Sequence, residues 1–93
     1  MIRSFRDRDT ERFFQRQASR SLPADIQRAA LRKLVILDAA ELLQDLRLPP
    51  GNRLEPLKGN LRGMHSIRVN DQWRLVFRWT DTGPVDVDVV DYH

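Results

Sequence analysis

Cysteine is absent from the 93 residues, so no disulfide framework or thiolate metal site can form, and a reducing cytoplasm is the expected setting. Glycine is scarce as well. Gly51, Gly59, Gly63 and Gly83 are scattered and make no phosphate-cradling loop. The two histidines, His65 and His93, stand apart from the dispersed carboxylates at no metal-ligand spacing, which argues against a metal or other cofactor. Ser66 lacks the strand-turn-helix elbow of a nucleophilic serine. No apolar run approaches the ~20 residues that cross a bilayer. Charges also interrupt Met1-Ile2-Arg3-Ser4-Phe5-Arg6 before an export signal develops, so a cytoplasmic protein off the membrane is expected. So short a chain is expected to fold as one domain, residues 1–93.

Arginine is what the chain has in plenty. Of its 16 cations, 14 are Arg, whose planar fork suits bidentate phosphate contacts and stacking on bases. The net charge of +3 is unevenly spread. Residues 1–20 carry +3, residues 21–52 are neutral, residues 53–80 carry +4 and residues 81–93 carry −4. The pattern suits RNA as a ligand, with an ordinary solvated surface as the alternative.

Residues 2–6 read as a short strand. Asp7 or Asp9 then caps a helix bearing Phe13 and Phe14 that is expected to end near Arg20. Pro23 suits a first helical turn, with Asp25 well placed against the helix dipole. Ile26, Ala30, Leu34, Leu37, Ala40 and Leu43 recur at helical spacing, which predicts one long amphipathic helix to about Leu46. Leu48-Pro49-Pro50-Gly51-Asn52 ends it, and the stretch on to Gly63 has no clear period and reads as a long loop.

Beyond Gly63 the period changes to two. His65, Ile67 and Val69, then Trp73, Leu75, Phe77 and Trp79, predict a hairpin turning at Asn70-Asp71. After the turn at Asp81-Thr82-Gly83-Pro84, Val85, Val87 and Val89 mark a last strand. Alternation turns Trp73, Leu75, Phe77, Trp79, Val85, Val87 and Val89 toward the helices and leaves Arg68, Arg74, Val76, Arg78, Asp86, Asp88, Val90 and Tyr92 on an open face. Arg68, Arg78, Asp86 and Asp88 read first as cross-strand pairs stabilising that face. His65 reads as a satisfied buried or edge histidine.

Cleaving RNA without a metal requires a base for the 2′-OH, cations for the charge growing on the phosphate, and an acid for the leaving oxygen. On this layout Lys58 in the long loop, Arg74 on the open face, and Asp91, Tyr92 and His93 converge to offer those roles. His93 titrates near neutrality, and Tyr92 offers a ring to stack on a base and a hydroxyl for a phosphate oxygen.

The segment Leu57-Lys58-Gly59-Asn60-Leu61-Arg62-Gly63-Met64-His65-Ser66-Ile67-Arg68-Val69, with Gln72-Trp73-Arg74-Leu75-Val76-Phe77-Arg78-Trp79 and Asp91-Tyr92-His93, closely resembles the HigB toxins of the RelE superfamily, the plasmid-maintenance killer proteins. The resemblance runs over essentially the whole chain. It implies an α+β, RelE-like microbial-RNase fold of order β-α-α-β-β-β, two N-terminal helices packed on one face of a curved, mainly antiparallel sheet. It also implies a toxin of a type II toxin-antitoxin system that cleaves messenger RNA on the ribosome. The partners implied are a HigA-like helix-turn-helix antitoxin, the ribosome and message, with operator DNA reached only through the antitoxin. Lys58, Arg74, Asp91, Tyr92 and His93 match family positions credited with activity, and Arg53, Arg62, Arg68 and Arg78 would bind RNA. Glu55 departs from the pattern, because members often carry His three residues before the loop Lys. It is either a base or an ion-pair partner of Lys58 or Arg53, the pairing being favoured. The alternative is a catalytically weak or dead member that binds RNA, the ribosome or the antitoxin. Inhibition of a non-ribosomal target such as gyrase is a third reading, against which Asp91-Tyr92-His93 argues.

Overall fold

A computed structural model describes residues 1–91. Two helices, α1 (Arg8–Phe14) and α2 (Ala24–Ala39), precede a four-stranded antiparallel sheet in the order β1 (Glu55–Pro56), β2 (His65–Arg68), β3 (Trp73–Thr80) and β4 (Gly83–Asp91). The expected α+β arrangement of two N-terminal helices on one sheet face is what the chain forms. Ile26, Ala30, Leu34 and Leu37 of α2 and Phe13 of α1 share one core with Ile67, Val69, Leu75, Phe77, Val87 and Val89. Each of these buried side chains except Ala30 contributes about 1.5–3 kcal/mol. No helix among the described residues is long and apolar enough to cross a membrane.

The N-terminal segment runs parallel to β4 with a single bridge, Phe5 to Val87. Backbone bonds from Arg3 N to the Pro84 carbonyl (2.8 Å) and from Arg6 N to the Val87 carbonyl (2.9 Å) hold it there. The fourth full strand comes from Glu55–Pro56, inside the stretch expected to be a loop.

Both helices stop earlier than the hydrophobic period suggests, each because a carboxylate captures backbone beyond it. Asp7 caps α1 by accepting from Asp9 N. Asp9 itself accepts from Ser19 Oγ (2.6 Å), Arg20 N (2.9 Å) and Ser21 Oγ (2.6 Å), which folds residues 19–21 back onto the first turn. The helix therefore ends at Phe14 rather than near Arg20. In the same way Asp45 accepts from Glu41 N (3.1 Å) and Leu42 N (2.9 Å), so α2 ends at Ala39 and a separate 3-10 turn, Leu43–Arg47, carries Leu46 into the core.

The stretch from residue 48 to 63 is structured, not an open loop. Asn52, fully buried at the end of a 3-10 turn, donates to the carbonyls of Leu46 and Leu48 and accepts from Lys33 Nζ on α2. Burial, with Arg32 and Arg68 nearby, lowers the pKa of that ammonium. Farther on, Leu57 N donates to the Met64 carbonyl (2.8 Å), closing a loop around a third 3-10 turn, Gly59–Leu61. Leu57 and Met64 seal against Val76, with Leu61 and Val90 at the margin. Val76, expected on an open face, is 1% exposed for this reason.

Two other expectations are corrected by the register. Val76 pairs with Asp88 but Arg78 pairs with Val85, so Phe77 faces two β4 residues, Asp86 and Val87. This bulge, with Asp86 at φ +54°, turns Val85 to the face of Arg78 and away from the helices. The cross-strand Arg–Asp pairs give way to other contacts. Arg68 pairs with Asp71 in the turn, Asp86 N donates to Ser4 Oγ (2.9 Å), and Asp88 accepts from Thr10 Oγ1 (3.2 Å). Burial raises the Asp88 pKa. His65 lies on the helix side as expected, its ring stacked 6.3 Å from Phe77, but its buried Nδ1 has no hydrogen-bond partner among the described residues.

The Asp9 cluster gives a pH test. The Arg20 N–H, then the Ser19 and Ser21 hydroxyls, hold its carboxyl well below the usual range, against the opposing effect of burial. A depressed carboxylate adds stability above its unfolded pKa, about 3.9, and loses it as pH falls toward the folded value. Asp9→Asn is expected to be about 1–2 kcal/mol less stable at pH 7, the gap to wild type narrowing below about pH 4. Urea unfolding at pH 7 and pH 3 checks this, and an equal gap at both would contradict it.

Candidate active site

The sheet face turned away from the helices carries Arg74, Val76 and Arg78 of β3 at alternate positions. Arg74 pairs with Arg68 on β2 and Val90 on β4, and its side chain reaches across β2 toward the start of β1. Nε donates to Ser66 Oγ at 2.8 Å, and Nη2 donates to the Arg53 carbonyl at 2.7 Å. Glu55 Oε2 stands 4.0 Å from the same Nη2. The Arg74 side chain is 11% exposed while that of Glu55 is 54% exposed, so the cation is the enclosed member of the pair.

Local backbone sets each of these acceptors. Ser66 is fully buried in β2, opposite Glu55 on one side and Val76 on the other. Arg53 follows the Pro50–Asn52 turn in the left-handed region, φ +46°, from which its carbonyl meets Arg74. The candidate RNA contact at Arg53 thus also has a main-chain role. Two fixed bonds from one guanidinium define its plane, and burying a cation is tolerable only when its donors are met in this way.

Lys58 opens the Gly59–Leu61 turn and is exposed. Its neighbour Leu57 is buried on Val76, which roots the loop, and Lys58 with it, on the face of Arg74. Arg62 closes the same turn, exposed. Arg78 lies under the loop, since a Cβ on Gly63 would stand 2.8 Å from its Nη1. Gly63, at φ +90°, is favoured there by its backbone, whereas the Arg78 tip can swing aside. Arg68, opposite Arg74, is drawn aside by Asp71, which relieves a like-charge pair.

Asp91 pairs with Trp73, so alternation places it on the other side of the sheet from Arg74, and its Oδ2 accepts from Gln72 Nε2 at 2.9 Å. Tyr92 and His93 lie outside the described residues. Glu55 approaches Arg74, not Lys58 or Arg53, the partners expected for it. His65 belongs to neither group. It lines a cavity of about 390 Å³ with Leu43, Gln44, Arg47, Leu54 and Pro56. Among the described residues no three His, Cys, Asp or Glu side chains gather as a metal site. The residue missed from sequence is Ser66. Its only signal is a small hydroxyl at the β2 position that shares the face of Arg74 and Arg68.

Residues 3–93 match the family model of the RelE-like toxin of type II toxin-antitoxin system HigB. The chain is 51% identical over 82 residues to Toxin HigB-1 of Vibrio cholerae, covering 87% of this chain and 86% of the relative. It is 31% identical over 94 residues to Endoribonuclease HigB of Proteus vulgaris, covering 100% of each. In fold it is similar to a chain of the YoeB–YefM complex from Staphylococcus aureus, with TM-score 0.60, 22% identity and coverage of 100% and 95%. YafQ of Escherichia coli BL21(DE3) is similar at TM-score 0.56 and 17% identity, covering 98% of this chain and 91% of that one.

Removing the Ser66 hydroxyl should loosen Arg74 without disturbing the sheet. Ser66→Ala is expected to cost about 1–2 kcal/mol of stability, because a charged donor loses a buried acceptor. Amide and Arg Nε–H NMR of the variant should show faster exchange at Arg74 Nε–H with β2–β3 amides unchanged. Unaltered Nε–H exchange would remove Ser66 as its anchor.

Proposed function

The chain belongs to the HigB family of RelE-like toxins of type II toxin-antitoxin systems, and from that premise we propose that it cleaves messenger RNA on the ribosome without a metal. The single observation carrying this reading is the Arg74 guanidinium, fixed in plane and largely dehydrated on the face opposite the helices. A cation held this way stabilises charge developing on a phosphoryl oxygen with little reorganisation.

In the proposed reaction the 2′-oxygen passes its proton to a water molecule as it attacks the adjacent phosphorus. The bond to the 5′-oxygen breaks, leaving a 2′,3′-cyclic phosphate and a protonated 5′-hydroxyl. Arg74 and Lys58 hold the charge on the phosphoryl oxygens. His93 is assigned the proton to the leaving oxygen and Tyr92 stacks on a base, while Asp91, on the other side of the sheet, holds the end of β4 through Gln72. Arg53, Arg62, Arg68 and Arg78 hold the RNA backbone, which makes binding steeply salt-dependent. Glu55 serves as the ion-pair partner of Arg74 and not as the base, a role supported by the 4.0 Å approach. The chain acts in the cytoplasm as half of a pair with an antitoxin, a HigA-like helix-turn-helix protein through which it reaches operator DNA.

A carboxylate engaged with Arg74 where a base would stand also favours a second reading, a weak or dead nuclease that only binds RNA, the ribosome or its antitoxin. Primer extension on translated message separates the two. Discrete new 5′ ends inside codons are expected on induction of the wild type. Arg74→Ala and His93→Ala should each lower cleavage by about 10²–10³-fold and relieve growth arrest. Undiminished cleavage in both variants would dismiss the proposed site, and ribosome co-sedimentation without any new ends would establish the binder.

A further inference from the structure

Arg74 takes its second fixed acceptor, the Arg53 carbonyl, from the Pro50–Asn52 turn, and that turn has no apolar seat of its own. From Leu48 to Arg53 every residue is exposed except Asn52, which is fully buried. The Asn52 side chain is therefore the anchor. Its Nδ2 donates to the carbonyls of Leu46 and Leu48, each at 3.2 Å, and its Oδ1 accepts from Lys33 Nζ on α2. Arg53 follows at φ +46°, a left-handed conformation that a residue with a Cβ keeps only where its surroundings over-determine it. Lys33 is badly placed for a cation with a stabilising role alone. It is half-buried near two like charges, Arg32 and Arg68, and among the described residues no carboxylate pairs with it. Burying a charge without a counter-charge costs stability, yet the one hydrogen bond this ammonium makes among the described residues is to Asn52.

We propose that Lys33 and Asn52 are positioning residues for cleavage: through the Pro50–Asn52 turn they set where the Arg53 carbonyl stands, and with it the plane in which Arg74 meets a phosphate. The inference rests on the reading above of Arg74 as the cation at the scissile phosphate. Its mechanism follows from the two bonds that guanidinium makes. The Nε bond to Ser66 alone leaves the group able to turn about that contact, and the Nη2 bond to the Arg53 carbonyl stops the turning. A carbonyl held loosely would leave the plane loose, and small misplacements of a catalytic group lower the rate of the chemical step more than they weaken binding. Lys33 and Asn52 themselves do not touch RNA, because Asn52 is buried and the Lys33 ammonium is engaged on it. A purely architectural role would make the same two residues matter for stability and leave Arg74 unaffected.

Asn52→Ala strands two inward-facing carbonyls and risks unfolding the chain, so the test uses Lys33→Met, which keeps most of the apolar stem and removes the ammonium. With ribosomes and message present, Lys33→Met is expected to lower kcat by about 5–10-fold with KM within about twofold, the pattern of an interaction that counts in the transition state. It should have no further effect in the Arg74→Ala background. NMR of the full chain should show β2–β3 amide signals at their wild-type positions, while rotation of the Arg74 guanidinium, read from its side-chain nitrogen signals, becomes faster. Unchanged guanidinium rotation in Lys33→Met, or a wild-type kcat while Arg74→Ala is slowed, would overturn the positioning role and leave the nuclease reading intact. An equal loss of rate in the Arg74→Ala background would overturn it likewise, since Lys33 would then act by another route. No cleavage by the wild type, or undiminished cleavage in Arg74→Ala, would defeat both readings together.

Discussion

A guanidinium that is nearly out of water must spend its donors on fixed acceptors, and Arg74 meets that constraint through groups on two neighbouring pieces of chain. Ser66 Oγ on β2 takes Nε, and the Arg53 carbonyl takes Nη2. Much of the surrounding structure follows from supplying them. Arg53 can offer its carbonyl only because the Pro50–Asn52 turn delivers it in a left-handed conformation, and that turn is itself pinned by buried Asn52 to Leu46, Leu48 and Lys33. A chain of hydrogen bonds thus runs from α2 to the far side of the sheet.

The sheet has a core on each face, and the two have different tasks. The larger, between helices and sheet, supplies most of the apolar burial. The smaller, Leu57, Met64 and Val76, ties the Lys58 loop to the strand that carries Arg74. Phosphate binding needs cations that are presented to solvent yet do not wander, and a loop with one buried residue on either side of its turn answers that need.

What could be read from the sequence was whatever has a period. The stripe of α2, the alternation of β2 to β4 and the split of faces were legible because burial repeats at 3.6 or 2 residues. Helix ends were not, because Asp9 and Asp45 stop their helices through contacts with backbone that no period announces. The β4 bulge escaped for a related reason, since one extra residue at Asp86 reverses the face of Val85 while the alternation of valines reads on undisturbed. Residues 53–63 looked structureless because β1 is two residues long and the loop closes on isolated apolar side chains. In the site, Arg74, Lys58 and the basic residues of the same face were named from chemistry and motif. Ser66 was passed over because a lone serine on a strand carries no signal until its partner is seen, and Asp91 falls on the opposite side of the sheet from Arg74.

The central claim is that cleavage depends on Arg74 as Ser66 holds it. A double-mutant cycle on message cleavage, comparing wild type, Ser66→Ala, Arg74→Ala and the double variant, measures that dependence. Ser66→Ala is predicted to slow cleavage by about 10-fold when Arg74 is present and to have no further effect in the Arg74→Ala background, a coupling of about 1.4 kcal/mol. The same factor in both backgrounds would contradict the account.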